Sequence, residues 1–224
     1  MRRAAVALVI ATACVAGNGT IAPPNPETLV RPGARVVQTR MGDLDGDGSA
    51  EAVISSVSEA PNAFGFATPY LEVFAQGEDA WQRVFDATGH APTGEETPDV
   101  MLQPADEGFA SAQTVDVLEL LDFAGDGSSE IVAAISNVGA TSGPLELWII
   151  SMEDQEPLAE YYTRTERGGN VGVGSSRVTL EFGVYRKKDA GCCPSILEVR
   201  TIGYDPASGR ILTLDLERRR MEAA

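Results

Sequence analysis

The chain has 224 residues, of which 17 are Lys or Arg and 33 are Asp or Glu, so its formal net charge at pH 7 is −16. A field this acidic repels nucleic-acid backbones and anionic membrane surfaces, and an apolar fraction of 43% excludes a wholly disordered chain. The single histidine, His90, excludes sites that need two histidine ligands, including those of most zinc enzymes. The sequence therefore predicts a folded acidic protein of one or two domains, with no nucleic-acid partner.

The first 13 residues have the pattern of a secretory signal peptide. Arg2 and Arg3 precede an apolar run that ends in small residues, and this run is too short to span a bilayer. Thr12, Ala13 and Cys14 resemble the lipobox at which bacterial lipoprotein precursors are cut and acylated on the cysteine. The resemblance implies lipidation at Cys14 and an anchor on the outer side of the membrane, with ordinary cleavage and secretion as the alternative. Residues 14–33 are then the lipidated N-terminus and a flexible Gly/Pro/Asn-rich tether.

The rest of the chain favours β-strands, because short runs of β-branched, aliphatic and aromatic residues alternate with Gly, Pro, Asp, Asn and Ser. No long window has a helical apolar period, so the predicted class is all-β. The predicted strands are Ala34–Arg40, Ala52–Val57, Tyr70–Ala75, Trp81–Ala87, Thr114–Leu121, Ile131–Ser136, Leu145–Ser151, Ala159–Arg164, Arg177–Arg186, Ile196–Tyr204 and Arg210–Leu216.

Two parts of the chain repeat each other. An Asp/Gly-rich turn that begins at Asp43 recurs 79 residues later at Asp122, and in both copies it leads into an apolar strand and two further strands. We therefore predict a first β-meander at 34–88, a linker loop at 89–112, a second meander at 113–166, C-terminal strands at 167–217 and a frayed tail at 218–224. Two matched meanders are too few for a typical closed propeller, so we expect an open or sandwich-like arrangement.

The first turn concentrates carboxylates in a way that favours a hard cation. Asp43, Asp45, Asp47 and Glu51 fall within nine residues and would repel one another unless a cation neutralised them. Ca²⁺ takes about 6–8 oxygen ligands, and side chains at positions one, three and five with a carbonyl at seven are how an EF-hand loop begins. Ser49 would supply that carbonyl here. The acidic residue at position nine, instead of twelve, and the flanking strands argue against a helix-loop-helix site.

This pattern closely resembles the calcium loops of FG-GAP and VCBS repeats, which occur in integrin α propellers and bacterial surface proteins. The resemblance implies a loop between two antiparallel strands that holds a structural Ca²⁺ on Asp43, Asp45, Asp47, Glu51 and the Ser49 carbonyl. The second copy has Ala124 in place of one ligand. Its remaining candidates, Asp122, Asp126, Ser128 and Glu130, predict either a weaker site or an empty turn.

The remaining cysteines, Cys192 and Cys193, are adjacent. In an exported protein they can close a strained disulfide between themselves or pair with another molecule. The turn Cys192-Cys193-Pro194-Ser195 resembles one in LppP/LprE-like bacterial lipoproteins, which also carry an upstream Asp-Gly-Asp-Gly loop and a C-terminal β-meander. This second resemblance implies a location and an architecture and no activity.

The sequence contains neither a Gly-x-Ser-x-Gly elbow nor a phosphate-binding loop, so we expect a protein that is not an enzyme. A tethered β-domain favours protein or glycan binding at the cell surface, with Tyr70, Phe74, Trp81, Trp148, Tyr161 and Tyr162 as candidate anchors if they are not core. Two alternatives remain: a secreted hydrolase such as a glycosidase, which needs only a suitably spaced carboxylate pair, and an envelope scaffold component.

Overall fold

The computed structural model describes residues 25–61, 67–87, 100–101, 113–137, 143–153, 156–189 and 193–221. In these residues the chain forms thirteen strands and one short helix, which confirms the all-β class. Their bounds are α1 Pro26–Leu29, β1 Ala34–Gly42, β2 Glu51–Ser58, β3 Pro69–Gln76, β4 Trp81–Ala87, β5 Val100–Met101, β6 Gln113–Leu121, β7 Glu130–Asn137, β8 Leu145–Glu153, β9 Glu156–Arg164, β10 Asn170–Val173, β11 Arg177–Val184, β12 Ile196–Asp205 and β13 Arg210–Arg220.

The strands form three antiparallel meanders. The first sheet has the order β1-β2-β3-β4, the middle sheet β5-β9-β8-β7-β6, and the third sheet β10-β11-β12-β13. None of the three closes on itself among the described strands. The expected arrangement of two blade-like meanders followed by C-terminal strands in an open fold is therefore confirmed.

The middle sheet is covered on both faces. Ile131, Ala133 and Ile135 of β7 pack with the first sheet, whereas Val132 and Ala134 of the same strand pack with the third sheet. Alternate residues of a strand point to opposite faces, so a strand covered on both sides must be apolar throughout. This explains the continuous apolar runs of β7 and β8, and it makes the molecule a stack of three sheets.

The chain before β1 belongs to the folded protein from residue 26 onward, which corrects the expected extent of the tether to Gly33. Asn25 accepts a hydrogen bond from the Glu27 N–H and begins α1. Val30 then packs on Ala52, Ile54 and Phe74, on the face of the first sheet that is turned away from the middle sheet. The signal peptide and Cys14 lie outside the described residues.

The C-terminal strand is longer than predicted. The sequence predicted a frayed tail from Arg218, but β13 continues to Arg220, which pairs with Ile196 of β12. Arg218 Nε also donates to the buried Glu198 on β12 at 2.6 Å. Two short strands were also missed. β10 has only two apolar residues, and β5, two residues within the predicted linker, pairs with β9.

Candidate metal centre

The first acidic loop connects β1 to β2 and is wound around the Asp43 carboxylate. Asp43 Oδ1 accepts a hydrogen bond from the Gly46 N–H at 2.7 Å, and its Oδ2 accepts one from the Gly48 N–H at 2.8 Å. Gly46 and Gly48 have φ of 75° and 86°, a region that glycine adopts at little cost. The aspartate and the two glycines therefore set the turn, and the turn sets where the other carboxylates point.

Three carboxylates converge in this loop. Asp43, Asp45 and Glu51 each offer an oxygen, and these three atoms lie within 4.8 Å of one another. Glu51 is the first residue of β2 and is buried, and its Oε2 accepts a hydrogen bond from the Leu44 N–H at 2.7 Å. The Asp47 carboxylate is not part of this group, and its Oδ1 accepts the Ser49 N–H at 2.6 Å. The role of the Ser49 carbonyl as a ligand stays a prediction.

The surroundings of Glu51 disfavour its ionised form. Burial, together with smaller effects from the charges of Asp45, Asp47 and Asp43, raises the pKa of Glu51 to about 7, and the hydrogen bond from the Leu44 N–H opposes this only in part. An ion at the point where the three oxygens meet would offset both the burial and the repulsion. The donor set is therefore of the kind that a hard cation satisfies.

The second loop, between β6 and β7, has the same backbone design. Asp122 accepts hydrogen bonds from the Gly125 N–H at 2.6 Å and the Gly127 N–H at 3.1 Å, and both glycines have positive φ. Glu130 accepts the Phe123 N–H at 3.1 Å, as Glu51 does with Leu44, and burial raises its pKa to about 7. The repeat read from the sequence is thus a repeat of structure.

The second loop nevertheless lacks a carboxylate cluster. Ala124 stands where the first loop has Asp45, and Asp126 Oδ1 accepts both the backbone N–H of Ser128 at 3.1 Å and its hydroxyl at 2.8 Å. The hydrogen bond from the Ser128 hydroxyl, and to a smaller extent the one from the Ser128 N–H, hold the pKa of Asp126 below its usual value. Among the described residues the only acidic group with metal-site spacing is that of the first loop, and whether the second binds an ion stays a prediction.

The two loops contact each other at the boundary between the first and middle sheets. The Ser129 N–H donates to the Asp43 carbonyl at 2.8 Å. Nearby, the Gln38 side-chain amide donates to the Val117 carbonyl at 2.7 Å and accepts a hydrogen bond from the Val117 N–H at 3.2 Å. These two bonds satisfy backbone groups on the open side of β6, an edge strand of the middle sheet. Leu44, inside the first loop, belongs to the core shared by both sheets. An ion bound in the first loop would therefore stabilise the contact between the first and middle sheets.

The other predicted site residues are not brought together. Cys192 and His90 lie outside the described residues, and Cys193 is exposed beside Pro194, so the disulfide stays a prediction. Of the candidate aromatic anchors, Phe74, Trp148, Tyr161 and Tyr162 are buried core residues, and Tyr70 stacks under the Arg31 guanidinium at 3.8 Å. These five do not form an exposed aromatic patch.

Sequence reasoning missed two buried ion-pair clusters. Glu72 on β3 is fully buried and bound by Arg83 at 2.9 Å and Arg31 at 3.4 Å, and Arg31 also pairs with Asp86. Glu198 on β12 is bound by Arg200 at 2.8 Å as well as by Arg218. For Glu72 the available signal was a lone glutamate inside an otherwise apolar strand, because a buried carboxylate needs a partner.

Neither a scan against protein-family models nor a search of curated proteins finds a match to this chain. Within the described ranges, no helix has the length and apolarity needed to cross a membrane.

Proposed function

We propose that this is an exported, lipid-anchored surface protein without catalytic activity, whose first acidic loop binds a structural Ca²⁺ and which mediates a protein or glycan interaction. The observation that carries the calcium assignment is the convergence of Asp43, Asp45 and Glu51 within 4.8 Å. The FG-GAP-like order of the loop residues supports the same assignment. The anchor rests on the residues around Cys14, and the interaction rests on the expected surface location.

Calcium fits the donor set better than other common metals. All three converging groups are carboxylates, and hard oxygen ligands suit Ca²⁺ or Mg²⁺, whereas Zn²⁺ in structural sites prefers thiolate and imidazole. Ca²⁺ accepts irregular geometry and about 6–8 ligands, so backbone carbonyls, Asp47 or water can complete its shell, whereas Mg²⁺ demands a near-ideal octahedron. The position of the loop favours a structural role, since the ligands come from one turn that contacts the second loop.

The test is thermal unfolding of three proteins with Ca²⁺ or with chelator: the native sequence, Asp45→Ala and Asp79→Ala. Asp45→Ala gives the first loop the alanine of the second loop, and Asp79→Ala removes the same charge from an exposed turn. At a hundredfold excess of Ca²⁺ over Kd, binding adds about 2.7 kcal/mol, which for a protein of this size raises Tm by roughly 5–10 °C. We expect this shift in the native sequence and in Asp79→Ala and its loss in Asp45→Ala. No shift in the native sequence at millimolar Ca²⁺ would overturn the calcium assignment.

A further inference from the structure

The exposed apolar side chains concentrate at one strand. The described residues expose five large hydrophobic side chains, and three of them, Leu214, Leu216 and Met221, lie in β13 or directly after it. β13 is eleven residues long and pairs with β12 alone within the described sheet, so its other side is an edge. A long edge strand with exposed apolar residues is a template for another strand.

The pairing of β13 with β12 determines which backbone groups face that edge. The Met221 N–H donates to the Ser195 carbonyl, and the same register places Arg219 opposite Leu197 and Glu217 opposite Val199. In an antiparallel pair, hydrogen-bonded residues alternate with residues whose N–H and C=O point the other way. Leu216, Arg218 and Arg220 therefore present their backbone groups to the open side.

The side chains beside these groups carry charges of both signs. Glu217 and Arg219 lie on the face of the third sheet that is turned away from the middle sheet, and they form an ion pair at 2.5 Å. On the opposite face, Arg218 is already paired with Glu198 of its own chain. Because Glu217 and Arg219 have opposite charges, this edge is complementary to a second, antiparallel copy of itself.

We propose that β13 pairs antiparallel with β13 of a second copy of this chain, so that the third sheet continues from one molecule into the other. Only registers that set outward-facing residues opposite one another satisfy the backbone, so the two-fold axis must pass through one residue of β13, such as Arg218 or Glu217, and not between two residues. The register centred on Arg218 places Glu217 opposite Arg219 of the second copy, twice. It also sets Arg218 opposite its own equivalent, but the buried Glu198 of the same chain already balances the charge of each Arg218. The register centred on Glu217 would instead set Glu217 opposite its own equivalent, and like charges at that position oppose pairing.

The test is sedimentation velocity over a concentration series with the full chain carrying Cys14→Ser, so that acylation cannot contribute. The variants are Arg219→Glu, the swap Glu217→Arg with Arg219→Glu, and Lys187→Glu, which makes the same charge change in an exposed turn. The side chains of Lys187, Glu217 and Arg219 are exposed, so these variants are expected to fold.

We expect concentration-dependent dimers in the Cys14→Ser background and in Lys187→Glu. In Arg219→Glu the dimer dissociation constant should rise about tenfold or more, because both cross-strand pairs become like-charged. The swap should return it to within about threefold of the unswapped value, since opposite charges again face each other. A monomer at all concentrations, association that Arg219→Glu leaves unchanged, or a swap that fails to restore association would overturn the proposal.

Discussion

At the scale of single residues, the two acidic loops differ mainly at one position. Both loops use an aspartate to bind two backbone N–H groups, both have two glycines with positive φ, and both have a buried glutamate at the start of the next strand. The pair Asp45 and Ala124 decides whether a third carboxylate joins them. This could be read from the sequence, because a contiguous loop fixes its own geometry. The hydrogen bonds that Asp126 accepts from Ser128 could not be predicted from the sequence, since they depend on a side-chain rotamer.

The substitution Ala124→Asp is predicted to create a second cation site. It restores the missing carboxylate in a loop whose backbone already matches the first. We expect isothermal titration with Ca²⁺ to change from one bound ion to two. The exposed substitution Ser176→Asp adds the same charge elsewhere and should leave the stoichiometry at one. If Ala124→Asp also stayed at one ion, the equivalence of the two loops would be wrong.

The burial of Glu146, at the start of β8, predicts that the stability of the protein depends on pH. Burial raises the pKa of Glu146, and the charge of Arg164 at 3.7 Å only partly opposes it. The ionised form is therefore less favourable in the folded protein. The stabilisation from the protonated form is complete below the unfolded pKa, about 4.3. It is lost as pH rises through the higher folded value.

Glu146→Gln should accordingly lessen the fall in the free energy of unfolding across that interval and stabilise the protein above it. Glu51 and Glu130, whose pKa values are also raised, should keep part of the pH dependence. Chemical denaturation at a series of pH values measures this, with Glu153→Gln, an exposed residue of the same strand, as the control. A Glu146→Gln profile parallel to that of the native sequence would contradict the prediction.

At the scale of elements, strands that begin and end at strong turn residues were predicted well, and weakly marked elements were missed. Trp81–Ala87 agrees with β4 at both ends, and Gly77 with the acidic residues after it marks where the strand begins. β10 was missed because Gly172 interrupts its only two apolar residues, and α1 because its proline resembled part of a tether. The length of β13 depends on Glu198, which is far away in sequence, so local patterns could not reveal it.

The end of β13 should contribute measurably to stability through Arg218. Glu198 has a side chain that is 2% exposed, and Arg218→Ala would leave it bound by Arg200 alone. Burial alone would raise the pKa of Glu198, but hydrogen bonds from Arg218 and Arg200 hold it below its ordinary value. We expect Arg218→Ala to lower the free energy of unfolding by about 1–3 kcal/mol. Arg220→Ala, at an exposed position of the same strand, should change it by less than about 0.5 kcal/mol. Equal effects in urea denaturation would show that the ion pair is not stabilising.

At the scale of the whole molecule, the order of the three sheets explains features that separate strands do not. Because the middle sheet is covered on both faces, β7 and β8 bury every residue from Ile131 to Ile135 and from Leu145 to Ile150. The apolar runs alone indicate burial on two faces. The apolar runs do not show which sheets pack on the two faces of the middle sheet, since that depends on contacts between segments far apart in the chain, such as Gln38 with Val117.

This stacking predicts a gradient of stability across the molecule. Amides of β7 and β8 should exchange hydrogen only on global unfolding, because opening them exposes apolar surface on both faces. The strands β4, β10 and β13 each pair on one side only within the described sheets and should exchange through local opening at lower free energy. Hydrogen exchange resolved by residue, at low micromolar concentration where self-association adds no protection, measures both. We expect the slowest amides to report a free energy within about 1 kcal/mol of that from denaturant unfolding. Edge strands as protected as β7 would contradict the assignment of the middle sheet as the stable centre.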